Sequence, residues 1–251
     1  MKIELYKPLS IFGQGRRDNM EDCIFPAHRT AKETDPFFIV CDGMGGHTMG
    51  ETASKLACEG FAGYFVDHPA AGISEQYFVD AFNYVQDLFD AYVNEHNETR
   101  GMGTTLVMLY LANDFAAVTH CGDSRFYHFS GPDLIWRTED HKLVNEWVRR
   151  GLISADDALT HAKSNIISRA IQGNNTLKTK PDIHFIHEIK PGDYFLLCTD
   201  GLYESITDEQ LGEILSAGSN DDEKLQIIQE LCEGNSRDNY SAFLLKIKNM
   251  I

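Results

Sequence analysis

The chain has 251 residues, 43% of them hydrophobic and 24% charged, with 22 Lys and Arg against 38 Asp and Glu for a formal charge of −16. So acidic a balance argues against a nucleic-acid binder, which presents basic patches to phosphate, and any phosphate site here needs locally placed cations. No apolar run nears the roughly 20 residues of a membrane span, and MKIELYKPLS is no signal peptide, so a cytoplasmic protein without membrane contact is expected. The six cysteines form no C-x-x-C pair, and Cys41, Cys121 and Cys198 each end an apolar run, which predicts buried, reduced thiols. No repeat or linker divides the chain, so a single domain over residues 1–251 is expected.

The first strand signal is the run Phe37 to Cys41. Beyond the turn DGMGGH, Ala53, Leu56, Ala57, Gly60, Phe61 and Tyr64 keep helical spacing. Phe78, Ala81, Phe82, Val85, Leu88, Phe89 and Tyr92 do so over a longer stretch, with Ser74 placed to cap it. Strand-like runs follow at Thr104 to Leu111, Phe115 to Cys121 and Arg125 to Phe129. Asn113-Asp114 and Gly122-Asp123 punctuate them as tight turns, and the section reads as an antiparallel meander. Residues 138–173 break the pattern. Leu143, Val144, Trp147 and Val148 predict a short amphipathic helix stopped by Gly151, and Ser154 can cap another, an excursion of lid size. The chain then reads as a strand (Tyr194 to Cys198), two helices (Thr207 to Leu215, Asp222 to Cys232) and a last strand (Tyr240 to Ile247). Several strands are apolar on both faces, so the sheet must be covered on both sides. Helices grouped apart from strands indicate the α+β class.

Acidic residues recur at the ends of these runs: Glu21 and Asp22 after Arg17, Asp42 in CDGMGGH, Asp200 in CTDG and Asp238 in RDN. Hard oxygen donors gathered by a fold are how Mg²⁺ or Mn²⁺ is usually held. Taken singly, each Asp-Gly or Asp-Asn is an ordinary turn signal. The glycine-rich loop lacks both phosphate-binding spacings, since Glu51 follows Gly50 where a Lys would stand. Arg17 suits bidentate phosphate binding. His120-Cys121 suggests a thiol phosphatase, but that chemistry needs an Arg about six positions on, where Tyr127 stands.

In order along the chain stand Arg17-x-x-x-Glu21-Asp22, Asp42-Gly43-Met44-Gly45-Gly46-His47, Gly103-Thr104-Thr105, Gly122-Asp123-Ser124-Arg125, Asp140-His141, Ser168-Arg169-Ala170, Asp200-Gly201 and Asp238-Asn239. From about residue 10 to 247 this order resembles the metal-dependent, type 2C serine/threonine protein phosphatases, and bacterial members in particular. The resemblance implies a four-layer αββα sandwich of two antiparallel sheets between helix pairs. It implies two Mn²⁺ or Mg²⁺ ions, one on Asp42, Asp200 and Asp238, the other on Asp42 and the Gly43 carbonyl with Glu21 acting through water. Glu21 and Asp22 would orient water, Arg17 would take the substrate phosphate, and Asn239 would support the site. Asp123 with Asp200 would hold a third, weaker ion, and residues 138–173 would form a flap. The implied reaction is direct hydrolysis of phosphoserine or phosphothreonine without a phosphoenzyme. Met44 stands where animal members carry a His, and His47 is a supporting residue at most. Phosphoprotein substrates, an opposing serine/threonine kinase and a monomeric state are expected.

Overall fold

The computed structural model describes residues 2–45, 48–69, 72–174 and 178–250; His47 therefore lies outside the described residues. The chain opens with β1 (Ile3–Leu5), β2 (Leu9–Gly13), β3 (Asp22–Phe25) and β4 (Phe37–Met44). The helices α1 (Thr48–Asp67) and α2 (Glu75–Glu95) follow, and the Ser74 side chain accepts from the Tyr77 N–H as expected of an N-cap. Next come β5 (Gly103–Thr104), β6 (Leu106–Leu111), β7 (Ala116–Cys121), β8 (Arg125–Ser130) and β9 (Asp133–Arg137). The short helices α3 (Leu143–Arg149) and α4 (Ala155–Thr160) interrupt the strands before β10 (Ile171–Gln172), β11 (Asp182–Ile186) and β12 (Tyr194–Cys198). The chain ends with α5 (Asp200–Tyr203), α6 (Asp208–Ser216), α7 (Asp221–Asn235) and β13 (Tyr240–Met250).

The strands form two antiparallel sheets. One runs β1-β13-β12-β8-β9 with β2 on β13, the other β10-β5-β4-β6-β7-β11 with β3 on β4. Side-chain alternation explains the layering. On β4, Phe37, Ile39 and Cys41 pack under α1 and α2, while Phe38 and Val40 face the opposite sheet. On β12 and β13, Phe195, Leu197, Phe243 and Leu245 point between the sheets, while Leu196, Cys198, Ala242 and Leu244 meet α6 and α7. The rings of Phe38 and Phe243 join the two sheets edge to face at 5.3 Å. Each such buried side chain contributes about 1.5–3 kcal/mol. The result is the expected α+β, four-layer αββα sandwich.

One expectation is corrected. β6 and β7 are hairpin partners, but β7 and β8 lie in different sheets, so Gly122-Asp123 is a crossing and not a meander turn. Both strands are almost wholly buried, so their patterning could not show which sheet each joins. Gly122, at φ +111°, supplies the backbone conformation for the reversal, and a Cβ there would lie 2.7 Å from the Thr105 side chain.

Candidate active site

The acidic residues converge where the ends of the two sheets meet. Asp22 and Asp42 are direct cross-strand partners on β3 and β4. Asp200 begins α5 immediately after β12, and Asp238 lies between α7 and β13. Thr199 fastens the two sides, donating from Oγ1 to Asp22 Oδ2 at 2.9 Å. The Asp42 backbone is locked as well. Its N–H donates to Thr105 Oγ1, and its carbonyl accepts from Thr105 N–H and Thr104 Oγ1, each at 2.9 Å.

Glycines bring the backbone in close. A Cβ on Gly43 would lie 1.9 Å from the Gly50 carbonyl. A Cβ on Gly50 would meet both the Glu21 carboxylate and the Gly43 carbonyl at 2.8 Å, so these two oxygen donors flank the same bare backbone. Local sequence gives no sign of this role for Gly50, which is followed by Glu51 and matches no phosphate-binding spacing.

Asn239 holds the loop that carries Arg17 and Glu21. Its Oδ1 accepts from Glu21 N–H at 2.8 Å, and its Nδ2 donates to the carbonyls of Gln14 and Asn19 at 2.8 and 2.9 Å. Arg17, half exposed, donates through Nη2 to Asp238 Oδ2. The sequence pattern gives phosphate to Arg17 and a cation to Asp238, whereas the fold pairs the two with each other.

The electrostatics carry the mark of crowded acids. Burial raises the Asp42 carboxyl well above the usual range, and Asp22, Asp200, Asp123 and Asp238 raise it further. Asp200 is pushed up to about 8, first by burial and then by Asp123 and Asp238. Asp22 is pushed up to about 7 by burial, against the hydrogen bond from Thr199. Among the described residues Asp200 Oδ1 is buried with no hydrogen-bond partner. Mutually repelling carboxylates, buried or half-buried and one with an orphaned oxygen, fit hard divalent cations, which supply the missing positive charge.

Asp123 differs from the rest. Lys142 Nζ lies 3.3 Å from its Oδ2, and Tyr203 donates to the same oxygen at 3.4 Å. Neither partner could be foreseen from the sequence, since both come from distant segments. Behind them Arg125 grips Asp140 with two hydrogen bonds of 2.7 and 2.8 Å and stacks on the Tyr203 ring.

A second cluster, His120, His141 and Asp182, brings nitrogen and oxygen donors together but is internally satisfied. His141 Nδ1 accepts from Gly122 N–H at 3.1 Å, so Nε2 carries the proton toward Asp182 Oδ2 at 3.2 Å. Burial and the neighbouring His120 lower the His141 pKa to about 4, keeping it neutral. His120 Nε2 donates to the Glu139 carbonyl at 3.1 Å. The cluster holds the turn that presents Asp123. Cys121 is fully buried, and burial pushes its thiol up, the opposite of an activated nucleophile.

Residues 138–173 leave and return at one point. Ser168 N–H donates to the His141 carbonyl at 2.7 Å, and Lys142 bridges Ile167. The Ser154 cap is reciprocated by Asp157, and Gly151 follows the end of α3 at φ +69°. Leu152 and Leu159 stand exposed on this excursion.

Comparison with known proteins identifies relatives along most of the chain. The family described as Protein phosphatase 2C matches residues 16–235. The serine/threonine phosphatase stp of Listeria monocytogenes is 31% identical over 223 residues, 86% of each chain. The crystal structure of the Mycobacterium tuberculosis serine/threonine phosphatase PstP/Ppp superposes with a TM-score of 0.83 at 28% identity, covering 98% of this chain and 100% of that one. The catalytic domain of PstP in complex with two manganese ions superposes with a TM-score of 0.79 at 28% identity, over 98% and 99% of the two chains. Matched over most of its length in sequence and nearly all of it in fold, the chain belongs to the protein phosphatase 2C family.

Proposed function

We propose that this protein is a metal-dependent phosphatase that hydrolyses phosphoserine and phosphothreonine in proteins, with water as the nucleophile. The observation that carries the reading is the convergence of Asp22, Asp42, Asp200 and Asp238 from separate segments, with a buried Asp200 oxygen left without a partner. Asp42, Asp200 and Asp238 would hold one of two Mn²⁺ or Mg²⁺ ions. Asp42 and the Gly43 carbonyl would hold the other, with Glu21 close by. When bound, such ions lower the pKa of water and neutralise charge on the phosphoryl oxygens.

The chain's own groups do the rest. Thr199 and the Asp22–Asp42 pairing keep the carboxylates in register before substrate arrives, so little reorganisation is needed. Asn239 presents the Arg17 loop at the rim. Arg17 exchanges Asp238 for the substrate phosphate, for which its planar guanidinium is well shaped. Water attacks phosphorus as the serine or threonine oxygen departs, yielding inorganic phosphate and the free hydroxyl. The buried Cys121 takes no part, and with water as the nucleophile the proposed route passes through no phosphoenzyme.

The whole chain acts as one catalytic domain, a monomer in the cytoplasm, with residues 138–173 as a flap that selects phosphoproteins. Its substrates are those of an opposing serine/threonine kinase. The acidic surface supports a role apart from nucleic acid, and no helix among the described residues is long and apolar enough to cross a membrane. The test is hydrolysis of p-nitrophenyl phosphate and of a phosphothreonine peptide, with Mn²⁺ and with EDTA. Activity should need Mn²⁺, and Asp42→Asn should lose it by at least 100-fold together with Mn²⁺ affinity. Full turnover in EDTA, or in purified Asp42→Asn, would refute the assignment.

A further inference from the structure

The strongest unassigned feature is the cation already seated on Asp123. The Lys142 side chain is only 13% exposed, although a lysine normally keeps its ammonium in water. It is held by Asp123 Oδ2 at 3.3 Å, Asp140 Oδ2 at 3.6 Å and the Tyr203 hydroxyl at 3.3 Å. Asp140 already gives both oxygens to Arg125. The Lys142 charge is therefore balanced chiefly by Asp123, whose side chain is 4% exposed. Asp123 reaches the carboxylate cluster through its hydrogen bond from Tyr203, on the helix that Asp200 begins, and after burial its charge raises Asp200 most. Tyr203 lies on the short helix that Asp200 begins, so one bonded unit joins Asp123, Lys142 and that helix.

We infer that Lys142 is a built-in counter-ion that closes Asp123 to a metal, so that this site takes two divalent ions and not three. A third ion on Asp123 and Asp200 would find Asp123 Oδ2 already engaged by an ammonium and a phenol hydroxyl, which leaves it the single oxygen Oδ1. It would also sit a few ångströms from a fixed positive charge in a poorly screened setting, where like charges repel strongly. The residues around Asp123 thus do not fit the third ion that the family resemblance implies. Lys142 immediately precedes α3, so the same contact ties the base of the 138–173 excursion to the acidic cluster by a covalent side chain.

This inference rests on the two-ion reading above, and the experiment keeps the two apart. Bound Mn²⁺ is counted by electron paramagnetic resonance of the free ion as the full-length protein is titrated with Mn²⁺ alone. The unaltered protein should bind two ions, and Asp123→Asn should leave that number unchanged. Lys142→Met should bind a third, which Asp123→Asn removes again, while Lys142→Arg should stay at two. A third ion in the unaltered protein that disappears in Asp123→Asn would overturn the inference, and that comparison needs no lysine variant to fold. An unchanged count in folded Lys142→Met would overturn it too. Ions that depend on Asp42 are counted separately with Asp42→Asn, so failure of the two-ion reading shows there and leaves the Asp123 count readable.

Discussion

Stripping divalent cations should make this protein less stable as pH rises, the reverse of the usual behaviour of buried acids in ion pairs. The folded state raises Asp22 from 3.8 to about 7 and Asp200 from 3.8 to about 8, both chiefly by burial. Between pH 4 and those values the folded chain holds protons that the unfolded chain has released. Unfolding therefore releases protons, and stability, full below about pH 4, falls as pH climbs through the folded-state values. At about 1.4 kcal/mol per tenfold change in proton affinity, Asp22 alone costs about 4 kcal/mol by pH 7–8. Asp200 costs about 6 kcal/mol above pH 8 by the same reckoning. Asp22 is one of the charges that raise Asp200, so the two do not add in full. Urea unfolding in EDTA at intervals from pH 5 to 8.5 should show the decline, and millimolar Mn²⁺ should flatten it. Asp22→Asn should remove its share of the slope. A stability that is level or rising over this range in EDTA, or an undiminished slope in Asp22→Asn, would show that the carboxylates are not crowded as described.

Gly50→Ala puts a methyl group 2.8 Å from both the Glu21 carboxylate and the Gly43 carbonyl, so turnover should drop at least tenfold and Mn²⁺ affinity with it. Wild-type metal affinity in that variant would count against the close approach. Asn239→Ala removes three hydrogen bonds at a buried position and should cost about 2–4 kcal/mol in urea unfolding. It should also raise KM for phosphopeptides as the Arg17 loop loosens, and an unchanged KM would place that loop outside substrate binding. Deleting Gly151 to His161 should reduce hydrolysis of a phosphopeptide several-fold more than that of p-nitrophenyl phosphate. Equal losses on both would deny the excursion a part in substrate choice.

Much of the framework was legible because it is local. Runs such as Tyr194 to Cys198 and the 3.6-residue stripe from Phe78 to Tyr92 report their own burial, and Ser74 and Ser154 announce helix starts. β1 and β3 are too short to show alternation and β3 begins in the acidic motif itself, while β2 buries two adjacent residues, Ser10 and Ile11, and so breaks the period of two. β9 alternates in burial from Asp133 to Trp136, but its exposed Ile135 is apolar, so the residue types show no alternation.

The residue order alone marks the groups able to do chemistry: acids beside Gly or Asn at the ends of apolar runs, placed in a family order. What each acid faces is set by the packing of the two sheets. Arg17 meets Asp238 across 221 positions, Thr199 meets Asp22 across 177, and Lys142 reaches Asp123 from the root of a separate excursion. Those pairings depend on two sheets stacking so that their ends coincide, and no local pattern encodes a distance between strands. The sheet to which β8 belongs was hidden for the same reason, because a strand buried on both faces looks alike in either layer.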